Sequence, residues 1–135
     1  MNRLLLVCLL FGGLFVNAIA QESSQHKLAV LWTSGDPDVA EKVCFMYTHN
    51  AAKQGWFDEV VLIVWGPSAR LLAGDKELQS KIQMMQQDGI KIEACITCAN
   101  MYGVSQNLAE MNIDVKGMGM PLTRYLKEGW KTLTF

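Results

Sequence analysis

Two cysteines three positions apart, Cys95 and Cys98, are the residues of this chain best suited to chemistry. The residues from Ile90 to Ala94 alternate between apolar and polar, as in a β-strand, and a helical pattern follows the cysteines. A thiol between a strand end and a helix start lies where open α/β sheets place their active sites. The amino end of a helix also favours negative charge, which eases formation of a thiolate. We therefore expect Cys95 to be a reachable nucleophile at a sheet edge, with Cys98 about one helical turn away.

A Cys-x-x-Cys pair has three established uses, which are redox exchange, metal binding and sulfur carriage. A structural zinc site needs four ligands, and the chain has no second pair of this kind and only two histidines, His26 and His49. A thioredoxin-like site would be followed by a strand with a cis-proline, whereas the only later proline, Pro121, begins a helix. Redox exchange and sulfur carriage remain open, as does the plainer interpretation that both cysteines only pack in the core.

Five short segments predict β-strands, the first two of them nearly continuous apolar runs, and the segments between them have helical spacing. These segments cover residues 27–33, 59–65, 90–94, 113–117 and 130–135. Strands that alternate with helices predict a parallel sheet covered on both faces, which is a three-layer α/β/α sandwich with a five-stranded parallel sheet. Because crossovers between parallel strands are right-handed, the four strand-to-helix junctions should meet at one edge of that sheet.

The first predicted helix begins at Asp36, which suits the N-cap, and Pro37, which suits the first helical position. Gly55 is expected to end it. The residues expected to form its buried stripe recur at helical spacing. They are Val39, Val43, Tyr47 and Ala51. Cys44 lies on the same apolar side and is expected to be a small hydrophobic residue of the core.

Three of the four junctions contain glycine, so backbone amides can come close to a small ligand there. The candidate ligand-binding residues are Ser34, Gly35, Gly66, Ser68, Arg70, Gly119 and Met120. Arg70 can hold an anionic sulfur species through charge-assisted hydrogen bonds. Met101, Met118 and Met120 fall near the thiols, and they suggest an alternative function, a non-catalytic module that binds a small ligand or a soft metal such as copper. Methionine is more often packing material, so we assign no metal ligand and expect no cofactor.

The first 20 residues have the features of a secretory signal peptide. Arg3 precedes an apolar run over residues 4–16, and Ala18-Ile19-Ala20 is a small-x-small cleavage site, so cleavage is expected after Ala20. The run is too short for a comfortable membrane span. We expect a periplasmic or secreted protein, residues 21–135, that is free of the membrane after cleavage. Cys8 would be lost, which leaves an odd number of cysteines and at least one without a partner in the chain.

The charge of the chain is close to balanced, with 12 basic and 13 acidic residues and a formal net charge of −1. No stripe of lysine and arginine is present, so we expect no binding to nucleic acid. The length of 135 residues is sufficient for one folded domain.

The chain from Lys27 to Phe135 resembles the DsrE-like proteins, which include subunits of sulfur-relay complexes. The most specific part is a cysteine at a strand end, Cys95, followed eight positions later by Gly103-Val104. Residues 119–123 and 129–135 are similar to the ending of secreted members. The resemblance implies a five-stranded parallel sheet between helices, a persulfide carried on Cys95, and assembly as a homo-oligomer, commonly a trimer or hexamer. It also implies a sulfur-donor protein or a thiol-redox protein as partner.

This chain differs from the relay subunits of that family in two ways. Those subunits are cytoplasmic, whereas this chain is expected to be exported, and they lack a cysteine at the position of Cys98. Here Cys98 can attack the inner sulfur of a persulfide on Cys95, which releases hydrosulfide and closes a disulfide. We therefore expect transient sulfur transfer or thiol–disulfide exchange, with Cys98 as the resolving thiol, rather than sulfur storage. A passive staple between the two cysteines is a further alternative, but so short a loop adds little stability.

Overall fold

The computed structural model describes residues 26–135, and the predicted signal peptide over residues 1–20 lies outside them. The strands are Lys27–Trp32 (β1), Glu59–Val64 (β2), Lys91–Cys95 (β3), Asp114–Lys116 (β4) and Lys131–Thr134 (β5). They form one sheet in the order β4-β3-β2-β1-β5, and every neighbouring pair is parallel. The predicted fold class, an α/β sandwich with a five-stranded parallel sheet, is confirmed.

The helices begin close to residues of the sequence that favour helix starts. They are Pro37–Val39 (α1), Met46–Lys53 (α2), Pro67–Gly74 (α3), Lys76–Gln87 (α4), Ile96–Met101 (α5), Ser105–Glu110 (α6) and Gly119–Lys127 (α7), with a π-helical segment, Ala40–Phe45, between α1 and α2. The Asp36 carboxylate accepts hydrogen bonds from two amides of α1, and that of Asp75 does so for α4, so both act as N-caps. Within residues 26–135, no helix is long and apolar enough to cross a membrane.

The order of the strands determines how the two faces of the sheet are covered. The chain runs outward from β1 to β4 at one edge and then returns to β5, which pairs with the other side of β1. The π-helical segment and α2 to α6 pack on one face, around Leu62, Ile82 and Leu108. Helix α7 crosses the opposite face, where Tyr125 and Trp130 pack with Cys95. One helix therefore covers the face that carries the candidate nucleophile.

The buried stripe of the first helical segment differs from the prediction. Val43 is 44% exposed and Val39 is only partly buried, whereas Ala40, Cys44 and Phe45 are buried. The predicted stripe assumed 3.6 residues per turn throughout. The wider turns of a π-helix hold more residues, so residues before and after it do not share one α-helical stripe. The prediction that Cys44 lies in the core is confirmed, since this side chain is completely buried.

Candidate functional site

Cys95 is the last residue of β3 and the N-cap of α5, so the predicted strand-to-helix junction is present. Its side chain lies on the face covered by α7, in a cluster with Ile63, Met118 and Tyr125. Only 5% of the residue is exposed. The expectation of a freely reachable thiol was therefore wrong for Cys95, because the start of α7 packs over it. Cys98 is partly exposed and is the more accessible thiol of the pair.

The Cys98 sulfur lies within hydrogen-bond reach of both the Cys95 thiol and the Gly66 amide. Both cysteines are free thiols. Burial raises the pKa of Cys98 above its usual 9.0, and the neighbouring Cys95 sulfur raises it further, against the opposing effect of the Gly66 amide. Cys98 therefore stays protonated near neutral pH and can donate its hydrogen bond to the Cys95 sulfur.

The junction after β2 reaches the thiols through Gly66. This residue has φ 71° and ψ −137°, a conformation that residues with a Cβ rarely adopt. The junction after β1 packs closely against the junction after β2, since a Cβ added at Gly35 would lie 3.2 Å from Pro67 Cβ. The convergence of junctions predicted from topology is thus found between β1, β2 and β3.

Two of the predicted ligand-binding residues have structural contacts instead. Ser68 is buried, and its hydroxyl donates to the Trp32 carbonyl at 2.6 Å and accepts from the Trp65 amide at 3.0 Å. This hydroxyl joins the ends of β1 and β2 and is not directed to a ligand. The Ser34 hydroxyl accepts a hydrogen bond from the Asp36 amide at 3.1 Å, within its own turn.

The other predicted rim residues are exposed. Arg70 projects from α3 with its guanidinium 5.1 Å from the centre of the Tyr102 ring, in a cation–π contact near the end of α5. Gly119 begins α7, and the side chain of Met120 beside it is 79% exposed. None of these three residues shares a cluster or a hydrogen bond with the thiols in the described residues.

The methionines do not gather around the thiols. Met118 is buried in the same cluster as Cys95, whereas Met101 is 78% exposed and Met120 is similarly exposed. Within residues 26–135, no group of three or more His, Cys, Asp or Glu side chains is arranged to hold a metal ion. The soft donor atoms in this cluster are therefore the Met118 thioether and the thiols of Cys95 and Cys98.

The sequence analysis missed a buried acid next to the thiols, Glu93. This residue is completely buried in β3. Its Oε1 atom accepts hydrogen bonds from Lys116 Nζ at 2.7 Å, from Lys91 Nζ at 2.7 Å and from the Tyr125 hydroxyl at 2.9 Å. Burial by itself would raise the pKa of Glu93, but these three donors outweigh it, and the pKa lies below its usual value. Glu93 is therefore an anion on the face that carries Cys95.

The positions of Glu93 and Lys116 relative to Cys95 indicate this cluster. Glu93 precedes Cys95 by two residues, so both side chains belong to the same face of β3. Lys116 is paired with Cys95 in the register of β3 with β4. An alternation such as that from Ile90 to Ala94 is typical of a strand whose polar face meets solvent, but α7 covers this face of β3.

These features together define the class of protein: a parallel α/β sandwich with a free dithiol at the carboxyl edge of its sheet. The family model that describes the DsrE/DsrF-like family matches residues 26–135. The chain belongs to the DsrE/DsrF-like family, as the resemblance predicted.

Three solved structures are similar to this chain. The conserved protein BT1422 from Bacteroides thetaiotaomicron is 40% identical, with a TM-score of 0.77 over 81% of this chain and 94% of that one. The MTH1491 protein from Methanobacterium thermoautotrophicum is 16% identical, with a TM-score of 0.68 over 82% of this chain and 100% of that one. The YchN protein from E. coli is 14% identical, with a TM-score of 0.66 and the same coverage. The last two support the fold alone, and no curated protein matches the chain.

Proposed function

We propose that this protein accepts a sulfane sulfur on Cys95 and releases it with the help of Cys98. Membership of the DsrE/DsrF-like family suggests a function of the sulfur-relay type. The observation that carries the proposal is the contact between the Cys98 sulfur and the Cys95 thiol, with the Gly66 amide beside them. Cys98 is held protonated, so Cys95 is the sulfur placed to attack a donor.

The proposed reaction has two steps. In the first, the Cys95 thiolate attacks the outer sulfur of a persulfide or polysulfide donor, forming a Cys95 persulfide while the donor sulfur leaves as a thiolate. In the second, the Cys98 thiol loses its proton and attacks Cys95 Sγ, which forms the Cys95–Cys98 disulfide and expels hydrosulfide. A dithiol reductant then supplies two electrons and two protons to restore both thiols. If an acceptor thiol attacks the outer sulfur first, the sulfur is transferred instead and no disulfide forms.

The small exposure of Cys95 restricts the donor. A thiol that is 5% exposed admits a slender reagent, such as a polysulfide chain or a persulfide on an extended loop. Trp65, Met118 and Leu122 belong to the same apolar cluster as the two cysteines, so the surroundings of the thiols are largely apolar. Sulfane sulfur is itself soft and polarisable, so this lining suits it.

The signal peptide predicted for residues 1–20 indicates the compartment in which the proposed reaction would take place. We propose that the protein works in the periplasm or outside the cell, so that its reducing partner is an exported thiol-redox protein. The assembly as a trimer or hexamer that the family resemblance implies is part of the same proposal, and size measurement in solution tests it.

Location of the added sulfur tests the proposed nucleophile. Cys98→Ser protein is incubated with inorganic polysulfide, cleared of excess reagent, alkylated and mapped by peptide mass spectrometry. We expect one additional sulfur atom on the peptide that contains Cys95, because the resolving thiol is absent. Cys44 is the internal control and should stay unmodified in its buried position. Absence of added sulfur on Cys95, with Cys95 still alkylated by small reagents, would contradict the proposal.

A further inference from the structure

The reaction proposed above makes no use of Glu93, although among residues 26–135 it is the only carboxylate that is buried. Its Oε1 atom takes all three hydrogen bonds, while its Oε2 atom is buried without a partner. Removing a carboxylate from water costs several kcal/mol, and replacement of a buried ion pair by apolar residues is often neutral or stabilising. Stability alone therefore does not explain an acid at this position.

The geometry connects Glu93 with Cys95 through Lys116. In the register of β3 with β4, Cys95 lies beside Lys116 and Glu93 lies beside Asp114. Neighbouring strands are about 4.8 Å apart, so the Lys116 side chain leaves the backbone next to Cys95, on the same face. Its ammonium binds Glu93 Oε1 at 2.7 Å and Asp114 Oδ2 at 2.5 Å, which belong to the neighbouring pair of residues in the two strands.

The surrounding charges show which cation matters to the sulfur. Glu93 alone would repel an anionic sulfur two residues away on the same strand. Lys91 binds the same Oε1 atom, but it lies four residues before Cys95, and its side chain is 49% exposed against 29% for Lys116. Lys116 therefore leaves the backbone nearer to Cys95, and its charge is the less exposed and less screened of the two. The Asp114 carboxylate, half exposed, is the other anion in contact with it.

We infer that Glu93 is a positioning residue that holds the Lys116 ammonium beside Cys95, where this cation balances the negative charge of the sulfur as a thiolate or a perthiolate. This inference rests on the proposed function, because it takes Cys95 to be the reacting sulfur. It assigns Lys116 to the reaction as a charge-balancing residue and explains why a carboxylate is retained under α7, where Tyr125 also binds it.

The rate of Cys95 alkylation tests the inference directly. In a Cys98→Ser background, iodoacetamide reacts with Cys95 at pH 7, and peptide mass spectrometry follows the reaction. We expect Lys116→Met to slow alkylation by about tenfold, since it removes a nearby positive charge. Lys116→Arg should restore the rate to within about threefold, because it keeps the charge. Iodoacetamide is uncharged, so these changes report the state of the sulfur rather than attraction of the reagent.

Lys91→Met is the matched control. It removes the same charge and the same contact with Glu93 Oε1, but from a backbone position four residues before Cys95. We expect its alkylation rate to stay within about twofold of the parent. Equal slowing by Lys91→Met and Lys116→Met would overturn the inference, because it would mean that both lysines only support Glu93. An unchanged rate in Lys116→Met would also overturn it.

A second pair of variants keeps the inference testable if Lys116→Met does not fold with Glu93 uncompensated. Glu93→Gln removes the buried charge, and Glu93→Gln/Lys116→Met then removes the cation as well. The double variant should react about tenfold more slowly than Glu93→Gln, and equal rates would count against the inference. Alkylation needs no sulfur donor. If polysulfide fails to modify Cys95 while alkylation still depends on Lys116, the proposed function is rejected and the charge-balancing role is kept.

Discussion

Replacement of either thiol by serine is expected to reduce the release of hydrosulfide from polysulfide by at least about 100-fold in the absence of a reductant. Cys95→Ser removes the atom that accepts the sulfur. Cys98→Ser leaves that step intact but removes the neighbour that expels hydrosulfide. An attacking thiol in contact with its target acts at an effective concentration far above that of any thiol in solution, so no other group can replace it at a similar rate.

The two variants should fail in different ways. With Cys98→Ser, the added sulfur stays on the protein, whereas with Cys95→Ser none is taken up. Cys44→Ala is the control for loss of a cysteine as such, because Cys44 is buried on the opposite face of the sheet, and it should release hydrosulfide at the wild-type rate. Hydrosulfide is measured with an electrode under anaerobic conditions. Normal release by Cys98→Ser would contradict the resolving role.

The stability of the protein is expected to decrease between about pH 9 and about pH 12 because of Cys44. Burial raises the pKa of this thiol to about 12, only partly offset by a hydrogen bond with Thr48. In the unfolded chain the thiol ionises near 9.0. Above that pH the unfolded state binds fewer protons than the folded state. The stability that depends on the Cys44 proton is therefore fully present below pH 9, and the free energy of unfolding decreases as the pH rises towards 12. The full loss is about 4 kcal/mol in the free energy of unfolding.

Urea unfolding of the wild type and of Cys44→Ala at a series of pH values measures this effect. The variant should be about 1 kcal/mol less stable at pH 7, through lost packing, and should lose less stability above pH 9. The lysines ionise in the same range, but they are common to both proteins, so the difference between the two curves isolates Cys44. Parallel curves from pH 7 to pH 11 would contradict the assignment.

The order of elements could be predicted because local signals mark nearly every boundary. Asp36 caps its helix as expected, Asp75 does the same for α4, and Pro37 and Pro67 stand at the first positions of α1 and α3. Apolar runs without alternation mark β1 and β2, whose central residues are buried on both faces. These signals act over a few residues, so a single sequence contains them in full.

The environment of the thiols could not be predicted in the same way, because it depends on residues distant in the chain. The Glu93 carboxylate is paired with Lys116 and accepts a hydrogen bond from Tyr125, which lie 23 and 32 residues further on. Cys95 packs in one cluster with Met118, which lies 23 residues further on at the start of α7. The cysteine spacing indicated which atoms react. The path of α7 across the sheet determines how far they are exposed and which charges surround them.

The central claim is that Cys95 and Cys98 act as a pair on one sulfane sulfur, and the stoichiometry of a single turnover tests it most directly. Reduced wild-type protein is mixed without air with one equivalent of a small organic persulfide, which carries one transferable sulfur and leaves as a thiol. Hydrosulfide and the Cys95–Cys98 disulfide are then quantified in the same sample. We predict that the two products form in equal amounts and at the same rate. Release of hydrosulfide while both thiols can still be alkylated, or a persulfide that persists on Cys95 beside an unreacted Cys98, would contradict the account.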